Sequence, residues 1–192
     1  MQPIYGESQT YQNQFLVSVP QLNDPNFHQS VVLICKHDDE GAVGIVINRL
    51  TDHKMSDIFE QLGLEISSSI HINRPVHEGG PVYPELGLVV HSGTDSQWES
   101  SMEIGESLHL TSSRDILEDM ARGKGPDQVF MTLGYSGWGS GQLEDEISRN
   151  SWITTPADRS ILFNTRIKDK WRQSAELIGI DISRYSGDVG HA

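Results

Sequence analysis

Cysteine is almost absent from this chain of 192 residues, which contains one, Cys35, inside the apolar run VVLIC. A single thiol can form neither an internal disulfide nor a four-thiolate zinc site. Cys35 is therefore predicted to be a small buried hydrophobic residue. A chain of this length can bury enough apolar surface to fold as one domain without a metal or disulfide.

Long apolar runs are also missing, because no stretch approaches the ~20 apolar residues that a membrane-spanning helix needs. The first residues, MQPIYGESQTYQNQ, are polar and lack the basic and apolar segments of a secretory signal. We therefore expect a cytoplasmic protein with no membrane partner. Residues 1–13 are predicted to be a flexible N-terminal arm, and residues 14–192 a single domain.

Basic residues are scarce, since 14 lysines and arginines face 27 acidic residues and the net charge is −13. Such a surface repels a phosphate backbone, so direct nucleic-acid binding is not expected. Five cations do cluster within residues 159–172, and the solvated face of a helix is favoured over a nucleic-acid patch there. They are Arg159, Arg166, Lys168, Lys170 and Arg172.

Hydrophobic periodicity predicts an α+β domain with a mixed sheet, because strands and helices are interspersed without a regular βαβ rhythm. The predicted strands are residues 14–20, 30–35, 42–47, 87–92, 101–110 and 127–133, of which 101–110 is interpreted as one edge or half-exposed strand. The predicted helices are residues 55–62, a segment capped by Ser112 or Ser113 and ending at Arg122, one beginning near Gln142, and residues 167–179.

The stretch GYSGW, residues 134–138, resembles a nucleophile elbow but has Trp138 where the second glycine should stand. The only histidine that follows Ser136 is His191, next to the last residue. A hydrolase using Ser136, or a carboxylate such as Glu78, with a base such as His91 stays open as an alternative. The interpretation we favour is that Gly134 and Gly137 turn the chain from strand to helix.

Metal and phosphate motifs are weak. His37, Asp38, Asp39 and Glu40 are adjacent on a predicted hairpin tip, where side chains do not converge as helical i, i+4 ligands do. No phosphate-binding glycine motif occurs, and acidic residues already occupy the first turn of the helix near Gln142. We therefore predict no catalytic residue, no metal ligand and no cofactor.

Several motifs, taken in order, resemble the AlgH/YqgE family of bacterial proteins. They are DPNF (24–27), GIVINR (44–49), GGPV (79–82), GYSGW (134–138), GQLE (141–144) and Trp152. The resemblance implies a single α+β domain whose mixed, bifurcated sheet curls into a partial barrel flanked by helices, in the bacterial cytosol. It implies no established activity, and the family's label of transcriptional regulator derives from an alginate-production phenotype. Leu50 and Ser136 depart from the proline and alanine that the family usually has there.

The candidate binding surface consists of predicted loops at strand ends, where binding commonly resides. Its residues are Asn48, Arg49, Glu78, Gly79, Gly80, Tyr135, Ser136, Gly137 and Trp138. Asn48 is expected to brace the glycine-rich loop of residues 134–138 through its amide, and Arg49 to pair with Glu78 or Glu144. A glycine pair permits a positive φ or the close approach of another chain segment, and Gly79-Gly80 is interpreted as a tight turn, with a ligand-facing backbone as the alternative.

From this surface we expect an unknown protein partner or small ligand, with an indirect regulatory role in gene expression open. The alternative is that the same loops only specify the fold. Direct DNA binding by a transcriptional regulator remains a further alternative, with Lys168, Lys170 and Arg172 as its contacts.

Overall fold

The structure is a computed structural model that describes residues 10–67, 71–93 and 98–182. Ten strands and five helices lie within these ranges. The strands are β1 Gln14–Ser18, β2 Val31–Asp38, β3 Gly41–Val46, β4 Leu50–Lys54, β5 Pro75–Glu78, β6 Val82–Ser92, β7 Ser101–Gly105, β8 Leu108–Thr111, β9 Val129–Gly139 and β10 Trp152–Pro156. The helices are α1 Met55–Gln61, α2 Arg114–Ala121, α3 Gln142–Ser148, α4 Arg159–Phe163 and α5 Ile167–Glu176.

Strand β9 joins the two halves of the sheet, whose order is β10-β1-β2-β3-β9-β6-β8-β7. Its first half pairs antiparallel with β6 and parallel with β5, where His77 lies opposite Thr132. Its second half pairs antiparallel with β3. This branching confirms the predicted α+β domain with a mixed, bifurcated sheet that curls into a half-barrel.

Three buried clusters fill the two faces of the sheet. The interior cluster, which includes Phe15, Leu33, Ile45 and Phe130, is closed by α4 and α5. A second cluster packs α1 and α2 against the part of the sheet that contains β6 and β9. The third surrounds Trp138 and Trp152 beneath α3. Cys35 belongs to the interior cluster, and burial raises the pKa of its thiol, so its predicted role as a buried hydrophobic residue is confirmed.

Helix α2 begins and ends where the sequence predicts. Ser113 is its N-cap residue, with extended backbone. At the other end Gly123 adopts the left-handed conformation, and its N–H bonds the Met120 carbonyl at 3.1 Å. The Lys124 N–H reaches the Asp119 carbonyl at 2.8 Å, which completes a Schellman motif.

The predicted single strand over residues 101–110 is wrong, because this segment contains β7, a turn and most of β8. The two strands pair antiparallel, with Met102 opposite Leu110 and Gly105 opposite Leu108. The residues between them, Glu106 and Ser107, form a two-residue turn that keeps Leu108 and Leu110 in phase with Met102 and Ile104. They lack the Asn-Gly or Asp-Gly signal of a hairpin, so periodicity alone merges the two strands.

The predicted strand-to-helix turn at Gly134 and Gly137 is also wrong, because β9 continues through both residues to Gly139. Gly134, at a φ of 71°, kinks the strand where four residues of β6, 83–86, lie opposite it as a bulge. The turn into α3 occurs later, at Ser140 and Gly141. Pairing with β3 supplies the backbone partners that keep the glycine-rich segment extended.

Candidate functional site

The glycine pair Gly79-Gly80, at the end of β5, lies directly against β9, and this contact between the two segments is called the glycine crossing below. The Gly79 N–H donates to the Leu133 carbonyl at 2.8 Å, and the Gly79 carbonyl accepts from Val46 N–H at 2.9 Å. A Cβ on Gly79 would lie 2.1 Å from Thr132 Oγ1 and 2.2 Å from the Gly134 carbonyl oxygen. Glycine is therefore required at Gly79 because the two backbones approach closely here.

Ser136 lies inside the glycine crossing and not on an exposed nucleophile elbow. Its side chain is fully buried, and its hydroxyl donates to the Gly79 carbonyl at 3.3 Å. His91, the histidine suggested as its base, instead contacts Thr111, with 2.7 Å between Nε2 and Oγ1. His191 lies outside the described residues. Among the described residues, the geometry therefore gives Ser136 a packing role and neither a base nor an open face for attack.

Replacing Ser136 with alanine is expected to lower the free energy of unfolding by about 1 kcal/mol or less. The Gly79 carbonyl keeps its bond from Val46 N–H, so the substitution leaves no buried acceptor without a partner. Urea unfolding followed by circular dichroism measures the change. A loss well above this value would show that the hydroxyl does more than fill the crossing.

The two aromatic residues beside Ser136 face different surroundings. Trp138 is buried and donates from Nε1 to Glu146 Oε2 at 3.0 Å, while Trp152 donates to the same oxygen at 2.8 Å. Tyr135 is half-buried against the interior cluster, with its ring 6.1 Å from that of Tyr83. Gly137, between them, is exposed. Trp138 thus anchors α3 to the sheet and does not join the glycine crossing.

Asn48 and Arg49 brace the loop between β1 and β2. Asn48 Oδ1 accepts from Val31 N–H, and its Nδ2 donates to the Gln29 carbonyl, both at 2.8 Å. The amide does brace a loop, but the prediction that this is the glycine-rich loop is wrong, because the Gln29 and Val31 backbone groups lie within reach of Asn48 instead.

The predicted ion pair between Arg49 and Glu78 or Glu144 is wrong. Arg49 donates from one guanidinium nitrogen to the carbonyls of Pro25 and His28 at 3.2 and 3.1 Å. Glu144 instead contacts His37 Nε2 at 2.7 Å. Because Arg49 turns toward the loop carbonyls, Glu78 contacts it only through the backbone, where Glu78 N–H donates to the Arg49 carbonyl at 3.1 Å.

An open groove, which the sequence did not indicate, lies beside the glycine crossing. One part, of about 480 Å³, is lined by β4 residues together with Glu78, Gly80, Pro81, Pro84 and Leu133. A second part, of about 650 Å³, continues along α1 and the start of α2 and shares His53, Pro84 and Leu133 with the first. Of the predicted site residues, only Glu78 and Gly80 line this groove.

The bulge of β6 supplies one wall of the groove and exposes apolar side chains. Tyr83 is 69% exposed and Leu86 40% exposed, and Leu50 on the facing strand β4 is 43% exposed. The sequence signal, YPEL after GGPV, has neither strand nor helix periodicity. Val82 pairs with Tyr135 and Gly87 pairs with Leu133, so residues 83–86 have only Gly134 opposite them and bulge out of the sheet. This strand pairing cannot be seen in the sequence.

The basic cluster at residues 159–172 is only in part a solvated surface. Arg166 pairs with Asp169 at 2.7 Å, and Arg172 pairs with Glu176 at 2.6 Å. Lys168 is exposed. The prediction is wrong for Lys170, which is buried because α4 packs over its position and offers the Leu162 carbonyl.

The acidic hairpin tip between β2 and β3 forms as predicted. His37 accepts from Tyr11 N–H at Nδ1, 3.1 Å away, and so ties down the chain just before β1. Asn13 N–H likewise bonds the Ile34 carbonyl, whereas residues 1–9 of the predicted arm lie outside the described residues. Across residues 10–67, 71–93 and 98–182 there is no group of three or more histidine, cysteine or acidic side chains that could hold a metal ion.

Comparison with known proteins decides the family. The AlgH-like family profile matches residues 15–183. This chain belongs to the AlgH-like family. It is 48% identical over 185 residues to a UPF0301 protein of Thioalkalivibrio sulfidiphilus, covering 96% of this chain and 98% of that one. A UPF0301 protein of Xanthomonas campestris pv. campestris is 45% identical over 180 residues, covering 94% and 95%.

Solved structures agree with this membership. The solution structure of the AlgH protein from Pseudomonas aeruginosa superposes with a TM-score of 0.77 at 34% identity, covering 97% of this AlgH-like chain and all of that one. A crystal structure of a protein from Corynebacterium diphtheriae gives a TM-score of 0.72 at 18% identity, covers 94% of each chain and shows the fold alone. The resemblance drawn from the motifs is therefore confirmed. None of the helices in the described part of the chain has the length and apolar character needed to span a membrane.

Proposed function

We propose that this AlgH-like protein works by binding a segment of a partner protein in the groove between β4, the β6 bulge and the start of α2. The observation that carries the proposal is the exposure of Leu50 and Leu86 in the groove and of Tyr83 beside it, where Tyr83 lines an adjoining pocket with Pro84, Glu85 and Leu86. Exposed apolar side chains grouped at a rim of polar residues mark interaction surfaces. Aromatic side chains such as Tyr83 are enriched among the residues that dominate binding energy.

The charges at the groove define the chemistry of the partner segment. Asp52, Glu78 and Glu85 are exposed among its lining residues. Arg114 also lines it, but its guanidinium already contacts Glu118 at 3.0 Å and the Leu62 carbonyl at 2.9 Å. The negative net charge of the chain adds to this field. We expect a segment with lysine or arginine beside apolar anchors, because complementary charge speeds encounter and rejects acidic partners.

Regulation of gene expression would then be indirect, through a cytosolic protein partner. The ion pairs of Arg166 and Arg172 and the burial of Lys170 support this over direct DNA contact, since they withdraw cations from the basic cluster. The buried hydroxyl of Ser136 supports binding over hydrolysis. A single unpaired cysteine fits a reducing compartment.

Selection from a random peptide library tests this proposal with a defined probe. Peptides enriched on the wild-type protein are expected to combine basic and apolar residues. A Tyr83→Ser/Leu86→Ser variant should bind such a synthetic peptide at least about tenfold more weakly, equivalent to about 1.4 kcal/mol. Isothermal titration calorimetry measures the affinity, which should also fall as the salt concentration rises.

The matched control is Leu177→Ser/Ile178→Ser, which removes two apolar side chains of similar exposure at the end of α5. This variant should bind the peptide like the wild type. Enrichment of acidic peptides, no enrichment, or equal loss in both variants would contradict the proposal. If a small molecule binds the groove and no peptide does, a small ligand is favoured over a protein partner.

A further inference from the structure

Lys170 on α5 carries a buried ammonium group with little to balance it. Its residue is 2% exposed, and Nζ donates one hydrogen bond, to the Leu162 carbonyl at 2.8 Å. No described carboxylate lies within 4.0 Å of it. An ammonium has three donors, so two have no acceptor in the part of the chain that the structure describes. A buried charge is costly unless it is both paired and hydrogen-bonded.

Further polar groups with no partner lie on the same side of the sheet. The Phe130 ring is 5.7 Å from Lys170 Nζ, and its centroid is 4.7 Å from that of the His77 ring. Thr132 follows Phe130 by two residues on β9, so it shares that face, and it lies opposite His77 in the register. Ser174 follows Lys170 by one helical turn and shares its face. His77 Nδ1, Thr132 Oγ1 and Ser174 Oγ are buried and have no hydrogen-bond partner within residues 10–67, 71–93 and 98–182.

We propose that this interior face of the half-barrel binds a short-chain carboxylate anion, of the size of formate or acetate, between Lys170 and the His77–Thr132 pair. A carboxylate accepts hydrogen bonds at two oxygens, which suits the ammonium and the hydroxyl donors. Its negative charge supplies the counter-ion that the buried ammonium lacks. The Phe130 ring and neighbouring apolar side chains suit a short hydrocarbon tail.

The site should take up protons when it binds the anion. Burial lowers the pKa of Lys170 to about 8. Burial, and secondly the Lys170 charge, lower the pKa of His77 to about 4. An anion between them favours their charged forms and raises the pKa of both groups. Because the ammonium form binds, affinity should fall about tenfold between pH 7 and pH 9, as Lys170 loses its proton in the free protein.

Thermal unfolding at constant ionic strength tests the site with sodium acetate and sodium formate as probes. At ten times the dissociation constant, each should raise the Tm of the wild type by about 3–5 °C, and less at pH 9. Lys170→Met should abolish the shift. The matched control Lys168→Met, on the exposed side of the same helix, should keep it. Long pre-incubation allows for slow entry into a closed interior.

Thr132→Val and Ser174→Ala keep the lysine and remove single hydroxyl groups, so they test the site even where Lys170→Met folds poorly. At least one of them should weaken acetate binding severalfold in the same assay. An equal shift in Lys170→Met would overturn the proposal, as would an equal response to sulfate or the absence of any shift.

Discussion

Replacing Gly79 with alanine is expected to lower the free energy of unfolding by about 3 kcal/mol, the upper range for forced overpacking. The new Cβ would lie 2.1 Å from Thr132 Oγ1 and 2.2 Å from the Gly134 carbonyl oxygen. The Thr132 side chain can rotate away, but the Gly134 carbonyl belongs to the backbone of β9. The strand ends must therefore separate, which stretches the bond from Gly79 N–H to the Leu133 carbonyl. Urea unfolding of both proteins measures the difference.

Gly63→Ala is the matched control, since it separates the need for space from the need for a left-handed backbone. Gly63 has a φ of 64°, and a Cβ added there would meet no atom within 4 Å. Only backbone strain opposes the substitution there, at about 1–2 kcal/mol. Gly79 carries no such strain, so its larger cost would come from contact alone. Equal costs for the two variants would show that close approach is not what requires glycine at Gly79.

This crossing shows what the sequence reveals about the fold and what it does not. A glycine pair before a proline permits a sharp bend or the close approach of another segment, and the close approach to β9 is what requires glycine at Gly79. The sequence does not say which segment is met. In β9, glycine led to the wrong prediction of a turn. Gly134 and Gly137 weaken a strand locally, but β3 supplies the backbone partners that preserve it.

Short polar strands were beyond prediction for a related reason. LTDHK of β4 and PVHE of β5 have no apolar alternation, and each becomes a strand because the other, or β9, lies beside it. Local propensity is a weak guide where tertiary pairing decides. Lys170 on α5 is a second case in which tertiary packing decides. A lysine in a charged run is predicted to be exposed, and Lys170 is buried only because α4 packs over it.

For the candidate site as well, local residue roles could be predicted from the sequence, but the surface that depends on strand pairing could not. The sequence selected residues with real structural roles, such as the amide of Asn48, which holds two backbone groups of one loop. It combined them into one surface because all of them stand in predicted loops at strand ends, where binding commonly resides. The observed groove instead depends on the outward bulge of β6, and a bulge appears only when two strands are paired.

Replacing Trp138 with alanine is expected to lower the free energy of unfolding by about 3–5 kcal/mol. The Trp138 ring stacks on Phe27 with centroids 6.0 Å apart and meets Trp152 edge-on at 6.2 Å. Its loss leaves a cavity beneath α3 and removes one of the two indole donors to Glu146 Oε2. Chemical denaturation followed by tryptophan fluorescence and circular dichroism measures the change.

Trp138→Phe separates the ring from its N–H group. The ring stays in the cluster, and Glu146 keeps the bond from Trp152 and one from Gln142 at 2.9 Å, so the expected loss is about 1–2 kcal/mol. Because Trp138 lies outside the groove lining, this variant should bind a groove peptide as the wild type does. A well-folded Trp138→Ala protein that has lost the peptide would instead make Trp138 a recognition residue. That outcome would return the binding surface to the loops that the sequence first indicated.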